Sequence, residues 1–264
     1  MRGDPVSGES ETVQEAVEVI NAGAKAPVVL VCEHAARDIP SHFEGLGLDA
    51  AALESHVAWD PGALSVARQM SDELDAVLVA GRVSRLVYDC NRPPDAPGAM
   101  PAQSEIFAIP GNAELDDSAR AARVTRYYEP FRATLAATIK RVDAPVIVTV
   151  HSFTPIYHGR PRAVEIGVLH DSDTRLADAM LATAEEHTDL KVLRNAPYGP
   201  QDGVTHTLKE HGLVHGHPHV MLEIRNDLIA TEAEQQQMGA MISTWLRAAL
   251  ERPEMNDAMK DAKR

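Results

Sequence analysis

Short apolar runs alternate with longer stretches of helical spacing along most of the chain. Pro27–Cys32 (PVVLVC), Ala76–Ala80 (AVLVA), Pro145–Val150 (PVIVTV) and His219–Ile224 (HVMLEI) are nearly continuous apolar runs. Runs this short, bounded by Pro, Gly or polar residues, suit strands buried on both faces, because no alternate position is reserved for water. Leu86–Tyr88, Ala163–Leu169 and Lys191–Arg194 carry weaker strand signals. Gly62–Leu74, Ser118–Arg141, Asp173–His187 and Thr231–Leu250 repeat apolar residues at helical spacing, and Val204–His211 predicts a short helix. Asp173 or Thr174 is placed to cap the third of these helices.

Alternating strands and helices predict an α/β domain: three layers, with a central mixed, mainly parallel sheet flanked by helices. The periodic region is read as one domain over residues 15–250, with polar termini at 1–14 and 251–264 that fray. The pattern contains no internal repeat. It is broken by one long Pro/Gly-rich segment, Asp95–Gly111 (DAPGAMPAQSEIFAIPG). Loops of that length in compact domains often serve as lids or binding loops.

Charge narrows the partners. The 264 residues include 39 acidic and 25 basic side chains, for a net charge of −14. Without a basic run, such a chain repels a phosphate backbone, so nucleic acid is excluded as a partner. No apolar run approaches the roughly 18 to 20 residues of a membrane span, and the N-terminal MRGDPVSGESETVQ has no apolar signal core. Cys32 and Cys90 are the only cysteines, too few for a disulfide scaffold or a thiolate zinc site. A cytoplasmic protein acting on a small molecule is the expectation.

Ligands in such sheets bind beyond the carboxyl ends of the strands. There the first strong strand runs into Glu33-His34, the second region into Asp89 and Asn91-Arg92, the third into His151-Ser152, and the last contains Glu223 before Arg225 and Asp227. Four polar endings of this kind suggest one shared site. The chemistry suits a metal hydrolase, whose ion takes three His or carboxylate ligands and keeps one position for water. His34 and His151 are the natural imidazoles. Asp60, in HVAWDPGA, is the first choice of carboxylate. Glu33 is the alternative, although neighbours at a strand end point to opposite faces. Glu223 is left as general base. Asn91 and Arg92 could hold a substrate carboxylate, since the guanidinium fork pairs with both oxygens.

Blander roles compete for the same residues. Asp60 could cap the helix after Pro61-Gly62. Arg225 could be the structural partner of a buried Glu223. The run His215-Gly216-His217-Pro218-His219 looks rich in metal ligands but reads as a loop entering a strand. Ser152 lies outside any GxSxG elbow, which argues against a serine nucleophile. Cys90, beside Asn91-Arg92, is a weak alternative nucleophile.

The stretches VCEHAARDIP, HVAWDPGA, SRLVYDCNRPP, VTVHSFTP, NAPYGPQDGVTHTLKEHG and HVMLEIRNDLI resemble, in order, those of the N-formylglutamate amidohydrolases. The resemblance spans about residues 28 to 245. It implies a zinc-carboxypeptidase-like fold, one zinc or other divalent ion per chain, and cleavage of N-formyl-L-glutamate or a related acidic N-acyl amino acid. His34, Asn91-Arg92, His151 and Glu223 fall in the order of the wider carboxypeptidase pattern. That pattern also has a Glu three residues after its first His, where this chain has Arg37. The third ligand must therefore come from elsewhere, which returns the choice to Asp60 or Glu33. In this reading Arg85 or Arg225 meets the side-chain carboxylate or the developing oxyanion, and Tyr198 lines the pocket. The competing expectation is a non-catalytic binding protein for a small acidic metabolite on the same fold.

Overall fold

The computed structural model describes residues 16–255. Of the expected polar termini, 1–14 and everything beyond Met255 lie outside the described residues.

Seven strands form the central sheet: β1 (Val17–Ile20), β2 (Val28–Cys32), β3 (Val77–Gly81), β4 (Val146–Phe153), β5 (Ile166–Leu169), β6 (Val192–Arg194) and β7 (His219–Arg225). Their spatial order is β1-β3-β2-β4-β7-β5-β6. The four central strands β3, β2, β4 and β7 run parallel. At the edges β1 is antiparallel to β3, and β5 is antiparallel to β7 while pairing parallel with β6. The sheet is thus mixed with a parallel centre, as the pattern predicts.

The apolar runs are continuous because the sheet is covered on both faces. Val28, Leu30 and Cys32 of β2 pack toward α1 (Ala63–Leu74), α3 (Arg175–His187) and α4 (Glu232–Leu250). Val29 and Val31 pack the other way, against Phe131, Leu135 and Ile139 of α2 (Glu129–Arg141). Trp245 of α4 is fully buried, and its indole N–H donates to the Met180 carbonyl of α3 at 2.8 Å. That bond satisfies the one polar atom of the largest core side chain.

Four differences from the sequence pattern matter. Leu86–Val87 is a turn rather than a strand: Val87 N donates to the Ser84 carbonyl, and Leu86 N to the Ser84 hydroxyl. Its apolar side chains are instead buried with Met100, Ile109, Tyr127 and Tyr128 in a separate cluster. A run of three apolar residues needs burial, and burial does not require a strand partner. The long helix is continuous but mixed, passing from Asp117–Arg123 through a π turn at Val124–Tyr128 into α2. The short helix expected at Val204–His211 is a further π turn, Leu208–Gly212. Finally, β4 continues three residues past Val150, so His151 and Ser152 lie within it.

Candidate active site

The carboxyl ends of β2, β4 and β7 converge. His34 follows β2 by two residues, and the β4–β7 register sets His151 directly opposite Glu223. Gly81, at the end of β3, makes room for the turn after β2, since a Cβ there would collide with the Glu33 carbonyl oxygen. Asp60 arrives from a separate loop, pinned by its backbone N–H to the His34 carbonyl at 3.0 Å. Gly62, in the left-handed region at φ +81°, starts α1. The Asp60 carbonyl accepts from Ala63 N at 3.2 Å in the turn before the helix, the Gly62 carbonyl accepts the first helical bond from Val66 N at 3.1 Å, and the Asp60 carboxylate turns toward the histidines. The capping role is therefore left to the backbone, and the side chain is free for the site.

Asp60 Oδ2 lies 2.8 Å from His151 Nδ1 and 3.3 Å from His34 Nδ1. The two rings stand 4.9 Å apart between centroids. Asp60 Oδ1 accepts from Arg85 Nη1 at 3.2 Å. The far nitrogens of both imidazoles also face carboxylates: His34 Nε2 is 2.7 Å from Asp89 Oδ1, and His151 Nε2 is 3.1 Å from Glu33 Oε2. Arg85 Nη2 donates to Asp89 Oδ2 at 2.9 Å, closing the ring of contacts. Asp60 thus meets both Nδ1 atoms, while Glu33, in the turn after β2, lies behind His151.

Electrostatics follow from this crowding. Burial disfavours the charged form of Asp60, yet the histidines against it more than offset that and hold its carboxyl far below the usual range. Burial likewise disfavours an imidazolium at His151, but Glu33 and Asp60 raise its pKa well above normal. His34 is raised in the same way by Asp89 and Asp60, against burial and the Arg85 charge. Glu223 behaves differently: with no strong cationic partner, burial pushes it up to about 7. Its Oε2 is buried without a hydrogen-bond partner.

These residues fit a metal ion. Ligand atoms of His34, Asp60 and His151 all lie within 4.8 Å of one another and are buried. Two imidazoles and one carboxylate are a donor set used by hydrolytic metals. Three buried carboxylates converge on the two imidazoles and a single guanidinium, a surplus of negative charge that a cation relieves.

A cavity of about 500 Å³ opens onto the site. Asn91, Arg92, Arg162, Tyr198, Ser104 and Glu105 line it together with the triad and Glu223. Ser104 and Glu105 belong to the long loop, so Asp95–Gly111 does reach the cavity. Asn91 spends its amide on architecture: Nδ2 donates to the Val204 carbonyl at 2.6 Å and Oδ1 accepts from Thr207 N at 3.0 Å. Arg92 Nη1 donates to the carbonyls of Asn91 and Gly203, at 3.0 and 2.8 Å, and forms no ion pair among the described residues. Arg85 is neutralised by Asp60 and Asp89. Arg225 is not in the cavity wall. It pairs with Asp227 at 2.8 Å and Glu165 at 3.3 Å, and is not the structural partner of Glu223. Ser152 Oγ donates to the Pro61 carbonyl at 2.8 Å, which is no arrangement for a nucleophile. His215–His219 sits at the amino end of β7, the opposite end of the strand from the site.

The structure adds one residue that the strand-end reading passed over, Arg162, and gives two that it named, Asp89 and Glu33, a different place. Asp89 and Glu33 back the imidazoles. Arg162 enters the cavity from the loop after β4, its guanidinium carbon 4.4 Å from the Tyr157 ring centroid, 4.8 Å from Tyr198 and 5.5 Å from Phe153. It has no carboxylate partner among the described residues. Nothing in GRPRA distinguishes Arg162 from its neighbour Arg160; only the short hairpin of Ile156–Tyr157 and Arg160–Pro161, which Arg162 follows, separates them.

The model of the N-formylglutamate amidohydrolase family matches residues 26–230, most of the chain and every residue of the site. The chain belongs to that family. As a member it is a hydrolase acting on amide bonds. A gene product of Agrobacterium tumefaciens is 55% identical in sequence, with 91% of this chain and 97% of that one covered and a TM-score of 0.88. An N-formylglutamate amidohydrolase from Ralstonia eutropha shares the fold at 20% identity, covering 88% of this chain and 98% of its own, with a TM-score of 0.56. No curated protein matches the chain significantly.

Proposed function

We propose that the protein hydrolyses N-formyl-L-glutamate, or a closely related N-acyl acidic amino acid, to the free amino acid and a carboxylic acid. The observation that carries this reading is the buried His34–Asp60–His151 group beside an unpartnered Glu223. In it, His34, Asp60 and His151 hold one zinc or other divalent ion. Such an ion polarises a bound amide oxygen and makes a water nucleophilic near neutral pH.

Glu223 is the general base. Facing His151 across the β4–β7 register, it accepts a proton from the attacking water and passes it to the departing nitrogen. The C–N bond breaks, the carbonyl carbon keeps the water oxygen, and the amine leaves protonated. Burial raises this carboxyl above its usual range, which suits a group that must take up and release a proton.

Arg92 and Arg162 anchor the substrate. They are the cavity guanidiniums left without a carboxylate, whereas Arg85 is already neutralised and Arg225 lies elsewhere. Two such cations suit a substrate with two carboxylates: Arg92 takes the α-carboxylate and Arg162 the side-chain carboxylate. Asn91 fixes the Val204–Thr207 segment that forms one wall, and Tyr198 lines the pocket.

The test pairs metal content with formate release. The wild type should carry about one divalent ion per chain and release formate from N-formyl-L-glutamate. Glu223→Gln should retain ion and fold but lose turnover by roughly 10²–10⁴-fold, the usual scale of acid–base catalysis. Unchanged turnover in Glu223→Gln removes the base assignment. Substrate binding without any formate release in the metal-loaded wild type favours a non-catalytic binder.

A further inference from the structure

We propose that Glu105 is a positioning residue for the substrate anchor Arg162: its carboxylate ties the long Pro/Gly-rich loop to the hairpin that precedes Arg162 and so fixes that guanidinium in the cavity wall. This rests on the assignment of Arg162 given above and adds the residue that holds it in place.

The long loop folds back on itself. Gln103–Ser104 pairs antiparallel with Phe107–Ala108, which puts Glu105 and Ile106 at the turn. A second hairpin follows β4, with Ile156–Tyr157 paired to Arg160–Pro161 and His158 and Gly159 at its turn. The Glu105 carboxylate reaches between neighbouring segments. Its Oε1 accepts from His158 N at 3.1 Å, and its Oε2 lies 2.8 Å from His56 Nε2. His56 is four residues before Asp60, and His158 is four before Arg162. His56, Glu105 and Arg162 all line the active-site cavity. One side chain therefore joins the long loop to the segment that supplies Asp60 and to the hairpin that leads to Arg162.

The second hairpin needs such a tie. Arg160 and Pro161 are exposed and Ile156 is 54% exposed, so the hairpin buries little of its own. A two-stranded hairpin is marginal in water unless it packs against something else. Arg162 closes its base, with N donating to the Pro155 carbonyl at 2.8 Å, and its guanidinium rests on the Tyr157 ring in the first strand. The direction of the guanidinium is thus coupled to the hairpin, and the turn of the hairpin is held by Glu105. The Glu105 side chain is only 11% exposed, which limits competition from water. A backbone N–H donating to a carboxylate is also stronger than a neutral pair.

The experiment compares wild type, Glu105→Ala and Glu105→Gln. Amide exchange in the substrate-free protein reads the tie directly. The His158 amide should be protected in wild type and exchange about tenfold faster or more in Glu105→Ala. Protection should largely return in Glu105→Gln, whose amide oxygen still accepts from His158 N. Kinetics on N-formyl-L-glutamate read the positioning. KM should rise roughly 5- to 30-fold in Glu105→Ala, with kcat little changed. The rise should vanish in an Arg162→Met background, where no guanidinium is left to place. An unprotected His158 amide in wild type, or unchanged exchange in Glu105→Ala, overturns the tie, and the wild-type measurement stands even if Glu105→Ala does not fold. An equal KM rise in both backgrounds overturns positioning through Arg162. A wild type that neither binds nor turns over N-formyl-L-glutamate removes the functional reading instead, and the His158 exchange still decides the tie.

Discussion

Arg162→Met tests which cation recognises the side-chain carboxylate of the substrate. Methionine keeps part of the aliphatic stem but deletes the guanidinium that lies against Phe153, Tyr157 and Tyr198. A hydrogen bond to a charged group contributes about 1.5–3 kcal/mol. Arg162 has no competing carboxylate, so the full amount is available to substrate. At about 1.4 kcal/mol per tenfold, kcat/KM for N-formyl-L-glutamate should fall roughly 10- to 150-fold, mostly through KM. The decisive comparison is N-formyl-L-glutamine, which lacks the side-chain charge. The wild type should already handle it poorly, and Arg162→Met should lose little more. Formate release measured for both substrates gives the coupling directly. Arg225→Met is the control: its partners are Asp227 and Glu165, so KM should not move. Equal losses on both substrates in Arg162→Met, or a KM effect confined to Arg225→Met, would refute this assignment.

Two further outcomes follow from the packing around the site. Gly167→Ala should destabilise the protein by about 1–3 kcal/mol, as overpacking does, and raise KM. The new Cβ would collide with the Ala196 carbonyl, two residues before Tyr198, and thermal denaturation with steady-state kinetics would register both effects. His211 is kept neutral: burial lowers its pKa from 6.5 to about 4, against the opposing pull of Glu210. Since the native state binds this proton more weakly than the unfolded chain, its contribution is complete above pH 6.5 and is lost as pH falls toward 4. The full loss is about 3 kcal/mol, so His211→Gln should flatten the decline of stability between pH 7 and pH 4.5 in denaturant titrations. A parallel decline in wild type and variant would assign the acid sensitivity to other groups.

Much of the fold was legible because burial on both faces leaves an unambiguous trace. The runs at β2 and β3 are apolar at every position, those of β4 and β7 are nearly so until the site residues His151 and Glu223, and these four strands are the parallel centre of the sheet. The edge was harder to read. Val17–Ile20 alternates weakly and pairs only with β3, so little in its side chains distinguishes it from a loop. Leu86–Tyr88 failed the other way, because a short apolar run records burial and is silent on backbone pairing. The site was legible where a strand end dictates position: His34, His151 and Glu223 are fixed by β2, β4 and β7.

Residues supplied by loops depend on geometry that local sequence does not carry. Asp60 before Pro61-Gly62 satisfies a capping pattern and a ligand pattern equally well. The structure separates the two: Gly62 is the N-cap and its carbonyl accepts the first helical bond, so the Asp60 carboxylate does not cap the helix and faces the imidazoles instead. The arginines show the same principle through charge. Arg85, Arg92, Arg162 and Arg225 are one residue type, and each could anchor a carboxylate. What separates them is prior neutralisation: Arg85 and Arg225 already face two protein carboxylates each, while Arg92 is held by backbone carbonyls and Arg162 by aromatic rings. A carbonyl or an aromatic ring orients a guanidinium without cancelling its charge. The capacity to recognise an anion therefore resides in how each arginine is held, which is set by the fold around it.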